Sequence, residues 1–394
     1  MEATVIIIGS ADIIKLGLVR SLGVKECKVI VIQLTNNTKY HIRKPLDYYS
    51  KYVSEYHFVR ENNLICFLLE KYADEMNRPV LFALDDTSVY LLDKEYSRLN
   101  RFFYLSNINH QPEGIVRLMN KYVQKQFASN AGINTPKGWI IEYTDGDYKI
   151  PNDIEYPCFV KSLLCYYGAK GLQSRCDNKN DLTLFLKKSA IASQIPLIAE
   201  EFIPIEKEVG IIGLCFDGRC IVPAKLTKTE SETGKGTVNG VTMIGNILPM
   251  NDNDIDFVPL QKFLTSLNYT GIINLDFIES KGKLYFLEAN FRYAAYGYGL
   301  ALADVNLPAL YVDMIQGRNK DVSLTGVKRF FNEKIAAKTI IEGFLSWKQY
   351  RSMKNEADFC AIESKEDPVP YRHFIIRYTL SYINSRIMKC LSHR

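Results

Sequence analysis

Two apolar segments flank Gly282: Gly271-Ile-Ile-Asn274-Leu-Asp276-Phe-Ile, and Leu284-Tyr-Phe-Leu-Glu288-Ala-Asn290-Phe-Arg292. Both carry polar side chains on alternate positions, which is the period of a strand with one buried face, so the pair predicts an antiparallel hairpin. With a three-residue loop at Ser280-Lys281-Gly282 and Gly282 at the φ > 0 position, Asn274 lies opposite Glu288 and Asp276 opposite Phe286. That register sends Asn274, Asp276, Glu288 and Asn290 to one side and Leu275, Phe277, Leu287 and Ala289 into a core. A two-residue turn at Lys281-Gly282 would instead separate Asp276 from Glu288. Two carboxylates beside carboxamides are hard oxygen ligands, suited to Mg²⁺ or Mn²⁺ bridging nucleotide phosphates. A plain hairpin with one wet face is the alternative.

The 394 residues exceed one ordinary core, so two to three domains are expected, and 47% hydrophobic with 24% charged residues describes a globular chain. A net charge of +5 without an aromatic-interleaved basic stripe disfavours nucleic acid as a partner, while it suits phosphates and carboxylates. The nine cysteines form no C-x-x-C pair and have no histidine at zinc-ligand spacing, which predicts reduced thiols. The segment Met-Glu-Ala-Thr-Val-Ile-Ile-Ile-Gly opens directly as a strand without a basic n-region, and no stretch reaches the ~20 apolar residues of a membrane span. A cytoplasmic location is expected.

Apolar runs at 5–8 and 28–33 enclose a helical pattern, and a third run at 79–84 closes on Asp85-Asp86. Strand, helix, strand order predicts a doubly wound parallel sheet with a right-handed crossover over 1–112, lacking the G-x-G-x-x-G dinucleotide fingerprint. A helix is expected over 113–131, stopped by Gly132 and Pro136. Strands follow at 139–142, 158–162 and 196–202, with a helix at 182–191, and Asp217-Gly218 marks a type I′ hairpin between 209–216 and 219–226. These give two α+β lobes, 113–190 and 191–325, and then an extension over 326–394. That extension reads as helical near 332–344 and as a basic amphipathic end from 374, which faces a partner, solvent or an anionic membrane surface. The assembly state stays open, with a dimer compatible.

Lys161 ends the apolar strand Pro157-Cys-Phe-Val-Lys161, and six residues on comes Tyr167-Gly168-Ala169-Lys170-Gly171. Glycines let backbone amides approach phosphate oxygens, and a strand-end lysine supplies a point charge. Pro196-Leu-Ile-Ala-Glu200-Glu201-Phe202-Ile203, running on to Glu208, reads as an edge strand able to offer backbone groups to a purine. Taken in order, Asn120-Lys121 ahead of Gly132-Ile-Asn-Thr-Pro136, the lysine and glycine motifs, Glu200-Glu-Phe-Ile203 with Glu208, Asn274-Leu-Asp276 and Leu287-Glu288-Ala-Asn290-Phe-Arg292 resemble the ATP-grasp superfamily over roughly residues 1 to 320. Leu84-Asp85-Asp86-Thr-Ser, with Val305-Asn306-Leu307-Pro308 near Gly317-Arg318, looks like bacterial predicted carboxylate-amine ligases related to D-aspartate ligase.

The resemblance implies a pre-ATP-grasp domain ahead of a two-lobed ATP-grasp domain. It implies that Lys121 and Lys161 hold ATP phosphates under a loop of Tyr167, Gly168, Ala169, Lys170 and Gly171. Glu200, Glu201 and the Ile203 backbone would meet adenine, and Glu208 the ribose. Asp276, Glu288 and Asn290 would bind Mg²⁺, while Arg292 and Lys225 would sit beside an acyl phosphate. Asn274 stands where some relatives carry arginine. The implied reaction is activation of a small carboxylate by ATP and coupling to an amine; a cell-envelope or polysaccharide precursor as acceptor and a non-catalytic nucleotide-binding regulator are the alternatives. Water exclusion would fall to the glycine loop and to residues 230–237. Five scattered histidines and the absence of a nucleophile elbow disfavour a His-dependent nucleophilic site.

Overall fold

A computed structural model describes residues 3–10, 12–35, 44–165, 172–192, 194–228, 237–238, 241–250 and 257–392. Four parallel strands form the first sheet, in the order Val53–Arg60, Lys28–Thr35, Thr4–Ile8, Val80–Ala83. Val5 to Ile8 are wholly buried because helices cover both faces, the environment in which an unbroken apolar run makes a strand. The strand Val80–Ala83 ends at Asp85, whose side chain accepts from Ser88 N at 2.9 Å and caps the helix Asp86–Lys94.

A second sheet runs Asp147–Lys149, Gly138–Thr144, Leu197–Glu201, Cys158–Ser162, Gln173–Cys176. Leu197–Glu201 is therefore central, paired on both sides, and belongs with the small lobe although the expected boundary at 190/191 placed it in the next one. A central strand has no free edge, so the expected edge-strand recognition along it does not apply. The third sheet runs Lys283–Asn290, Tyr269–Ser280, Lys207–Phe216, Arg219–Lys228, Ile244–Pro249, Lys328–Phe331, Phe359–Cys360, with Asn107–Ile108 joined to Tyr269–Ser280. Its last two strands come from residues 326–394, so that extension is not purely helical.

The helix expected over 113–131 is two helices, Gly114–Leu118 and Lys121–Asn130, broken where Asn120 takes an extended backbone conformation. The Asn120 side chain accepts from Tyr122 N and Val123 N at 3.0 and 3.3 Å, so an asparagine that would be neutral inside a helix restarts one.

Both long hairpins of the large sheet use two-residue turns with left-handed backbone, at Asp217-Gly218 and Lys281-Gly282. The second departs from the expected three-residue loop. Ser280 pairs Lys283 and Phe277 pairs Phe286, a register that taken regularly would turn Glu288 away from Asp276. An extra residue at Leu287 bulges out, after which Asp276 pairs Glu288 and Asn274 pairs Asn290. The four polar side chains share a face as expected, by a different route, and Phe286, not Leu287, joins the core beside Phe277.

Candidate active site

The polar wall is tied together by its own amides. Asn290 Nδ2 donates to Asp276 Oδ2 at 2.9 Å and reaches Glu288 Oε1 at 3.5 Å, and Asn274 Nδ2 donates to Asp276 Oδ1 at 3.3 Å. Tyr296 Oη donates to Asn274 Oδ1 at 2.7 Å, which fixes the amide with its nitrogen toward the carboxylate. Gly210, across the ladder from Asp276, leaves room for that ring: a Cβ there would meet Tyr296 Oη at 3.0 Å. Burial and the neighbouring Glu288 charge push the Asp276 carboxyl up to about 6, against the pull of Lys228, Asn274 and Arg292. Crowded carboxylates in a desolvated wall are what a divalent cation relieves, and Mg²⁺ characteristically takes one or two carboxylates plus phosphate oxygens. Asp276 and Glu288 fit that description, and the Asn290 amide beside them would join through its oxygen once Arg292 releases it. Among the described residues no cluster of three His, Cys, Asp or Glu side chains is set to hold a metal alone.

Facing this wall is a group of buried lysines. Lys121 N donates to Leu163 O at 3.0 Å and Cys165 N to Met119 O at 3.1 Å, so the start of the helix Lys121–Asn130 is stitched to the end of the strand Cys158–Ser162. Lys121 Nζ then stands 3.7 Å from Glu288 Oε2 and 3.5 Å from Cys165 Sγ. Glu200, 3% exposed, lies between Lys161 at 3.1 Å and Lys125 at 2.9 Å. The Lys125 contact is an ion pair without hydrogen-bond alignment. Burial, with Lys161 adding, pulls Lys125 down to about 8 against the attraction of Glu200; for Glu200 burial is outweighed by the two lysines, which hold its carboxyl below the usual range. Three ammonium groups against Glu200 and Glu288 leave this corner positive, which suits a polyphosphate.

Arg292 crosses from the wall to the first sheet. Its Nε donates to Asp86 Oδ1 at 2.9 Å and its Nη2 to Asn290 Oδ1 at 3.0 Å, joining the carboxyl end of the parallel sheet to the carboxylate face. Glu208 is ion-paired with Lys228 on the Asp276 face. Lys225 is turned the other way. A regular ladder from the Asp217-Gly218 turn would set Lys225 opposite Gly210, on the Asp276 face, but a bulge at Val222-Pro223 sets it opposite Ile211, on the face of the helix-packed core. The structure thus gathers Lys121, Lys161, Glu200, Glu208, Asp276, Glu288, Asn290 and Arg292, and leaves Lys225 apart. Glu200 is committed to lysines, Glu201 is exposed and accepts from Lys137 N at 3.4 Å, and Ile203 lies just past the strand end. Tyr167 to Gly171 and residues 230–236 lie outside the described residues.

Lys125, Lys228, Tyr296 and Cys165 were not anticipated. Lys125 carried a signal, since it is four residues from Lys121 on a helix and so on the same face. Pro223 carried another: proline inside a strand marks a bulge, and that bulge decides between Lys225 and Lys228. Tyr296 reaches the wall only through long-range packing and had no local signal, whereas Asp86 stood in the Asp85-Asp86 pair at a strand end and only its bond to Arg292 came from packing.

Residues 126–298 match the family model of the ATP-grasp domain. The chain is 23% identical over 171 residues to N5-carboxyaminoimidazole ribonucleotide synthase of Vibrio parahaemolyticus serotype O3:K6 (strain RIMD 2210633), covering 42% of this chain and 43% of that protein. It thus spans 43% of the length of the curated relatives it matches. Its fold is similar to that of N5-carboxyaminoimidazole synthetase from Staphylococcus aureus complexed with ADP, with TM-score 0.60, 16% identity, and coverage of 84% of this chain and 82% of that one. It is also similar to L-amino acid ligase from Bacillus licheniformis, with TM-score 0.61, 14% identity, and coverage of 83% and 80%.

Proposed function

We propose, from the match of residues 126–298 to the ATP-grasp domain model, that the protein is an ATP-dependent ligase that activates a small carboxylate as an acyl phosphate and couples it to an amine. The observation that carries the reading is the convergence of Asp276, Glu288 and Asn290 on one wall with Lys121 3.7 Å from Glu288 and Arg292 bonded to Asn290. A substrate carboxylate oxygen attacks the γ-phosphorus of ATP and ADP leaves; the amine then attacks the acyl carbon, and the carbon–oxygen bond breaks to release phosphate. Such transfer needs positioning and charge neutralisation more than covalent help. Lys121 and Lys161 would hold the phosphates of ATP, with Glu200 keeping Lys161 and Lys125 in place. Arg292, bonded to Asp86 and Asn290, would pass from Asp86 to the acyl phosphate, leaving the Asp86 carboxylate to take the proton that the incoming ammonium group must lose before it attacks. Mg²⁺ held by Asp276, Glu288 and Asn290 would supply further neutralisation of the phosphate charge.

The solved structure of an L-amino acid ligase among the fold neighbours favours amino acids as the first substrates to try. The test is a screen of paired acids and amines for ADP and phosphate release, with Glu288→Gln as the control. Release should require both partners, and the variant should lose on the order of 100-fold or more in turnover, the scale of removing one preorganised electrostatic partner. A variant as fast as the parent would overturn the metal assignment. ATP binding without turnover across the whole panel would make the chain a nucleotide-binding regulator instead.

A further inference from the structure

The helix Val369–Ser392 has two apolar faces, and only one of them is used by the protein. Inward, Phe374 and Tyr378 are buried, and Trp347 packs edge-on against Tyr378 and Tyr382 at 5.7 and 6.3 Å. His373 stacks on Tyr49 at 3.6 Å and Arg377 donates to Lys44 O, so the helix is held against the body from its start to Tyr382 and runs on from there in the same direction. Outward stand Ile376, Leu380, Ile383 and Ile387, 57%, 52%, 47% and 51% exposed. Their spacing of four, three and four residues places them within an arc of about 60° at 3.6 residues per turn, a continuous stripe along the helix. Arg372 and Arg386, both exposed, border one side of it, and the 24-residue helix contains no aspartate or glutamate.

We infer that this outward face seats the protein on the surface of an anionic lipid bilayer. A second copy of the chain would bring the same stripe with the same arginines, so that like charges would meet along the seam, whereas phosphate headgroups complement them. Arginines beside an apolar stripe can lay their stems on acyl chains and raise their guanidinium groups to the headgroups. A helix so held presents its stripe parallel to a membrane plane, the geometry of an interfacial helix. Among the described residues no helix is long and apolar enough to cross a membrane, so the contact is with the surface. Docking there would bring the ATP-grasp site to acceptors carried on lipid, although the inference rests on the helix alone and stands apart from the ligase reading.

The test is sedimentation of the full chain with vesicles of phosphatidylcholine alone and of phosphatidylcholine with 30% phosphatidylglycerol. The expected result is at least tenfold stronger partition to the anionic vesicles, weakened by added salt, and a further loss of tenfold or more in the double variant Ile376→Asn, Ile383→Asn. Retained ADP binding and an unchanged circular dichroism spectrum show that the variant is folded. Equal sedimentation of parent and variant, or no sedimentation with either vesicle, overturns the inference. So does a concentration-dependent dimer without vesicle binding that the double variant dissociates, which would make the stripe a seam between copies.

Discussion

At the scale of single residues, the site is decided by which charges are shared. Lys161 was legible as the charged end of an apolar strand, and Lys121 by its place beside Asn120. Glu200 was not legible in its actual role, because a strand sequence shows which side of the sheet a carboxylate faces but not which helix covers that side. Here the covering helix carries Lys125, which burial pulls down to about 8. A lysine with a lowered pKa carries its charge below that value and loses it as pH rises through it. ADP affinity is therefore expected to fall by about tenfold between pH 7 and pH 9, the scale of one partly screened charge contact with a phosphate. Calorimetric titration across that range should show the fall in the parent and a flattened profile in Lys125→Met.

At the scale of elements, turns could be read and bulges mostly could not. Asp217-Gly218 announces its two-residue hairpin through residue types that tolerate φ > 0, and Lys281-Gly282 does the same less plainly, since Lys281 itself takes a left-handed conformation. Each turn sets a parity, and each parity is then reversed by one extra residue in the second strand. Pro223 marks its bulge, because proline cannot donate to a ladder; Leu287 is an ordinary strand residue and marks nothing. Deleting Leu287 leaves Asp276 across from Glu288 in a regular ladder, so Mg²⁺-dependent nucleotide binding should survive within about threefold, the scale of a surface-type perturbation. Deleting Ala289 instead moves Asn290 onto the core face and should abolish that dependence, as measured by ADP titration with and without Mg²⁺.

At the scale of the molecule, the expected succession of domains is welded into fewer bodies. One apolar core runs from Val5, Ile7 and Leu16 of the first sheet to Ile212, Leu226 and Phe331 of the large sheet and on to Phe374 and Tyr378. The C-terminal extension is also pinned to the start of the chain by Arg20, which is buried and donates to Ile362 O and Asp367 O, both at 2.8 Å, and to Asp367 Oδ2 at 3.0 Å. Asp367 in turn accepts from Ser50 Oγ at 2.7 Å and Lys51 N at 3.0 Å. Arg20→Ala leaves that carboxylate and two carbonyls short of donors inside the protein and should cost about 3–5 kcal/mol. The loss should appear as a lowered melting temperature and faster proteolysis within residues 326–394. The sequence by itself determined the parallel first sheet and the two hairpins, because periodicity and turn chemistry are local properties of a chain, whereas the face that Asp276 shares with Glu288 depended on a bulge at Leu287 that no local signal announced. The tertiary structure decided which lysines meet which carboxylates, that Lys228 and not Lys225 faces the wall, and that Arg292 spans to Asp86. Those outcomes depend on bulges and on packing between segments as far apart as Asp86 and Arg292, where a one-residue shift exchanges the faces of a strand.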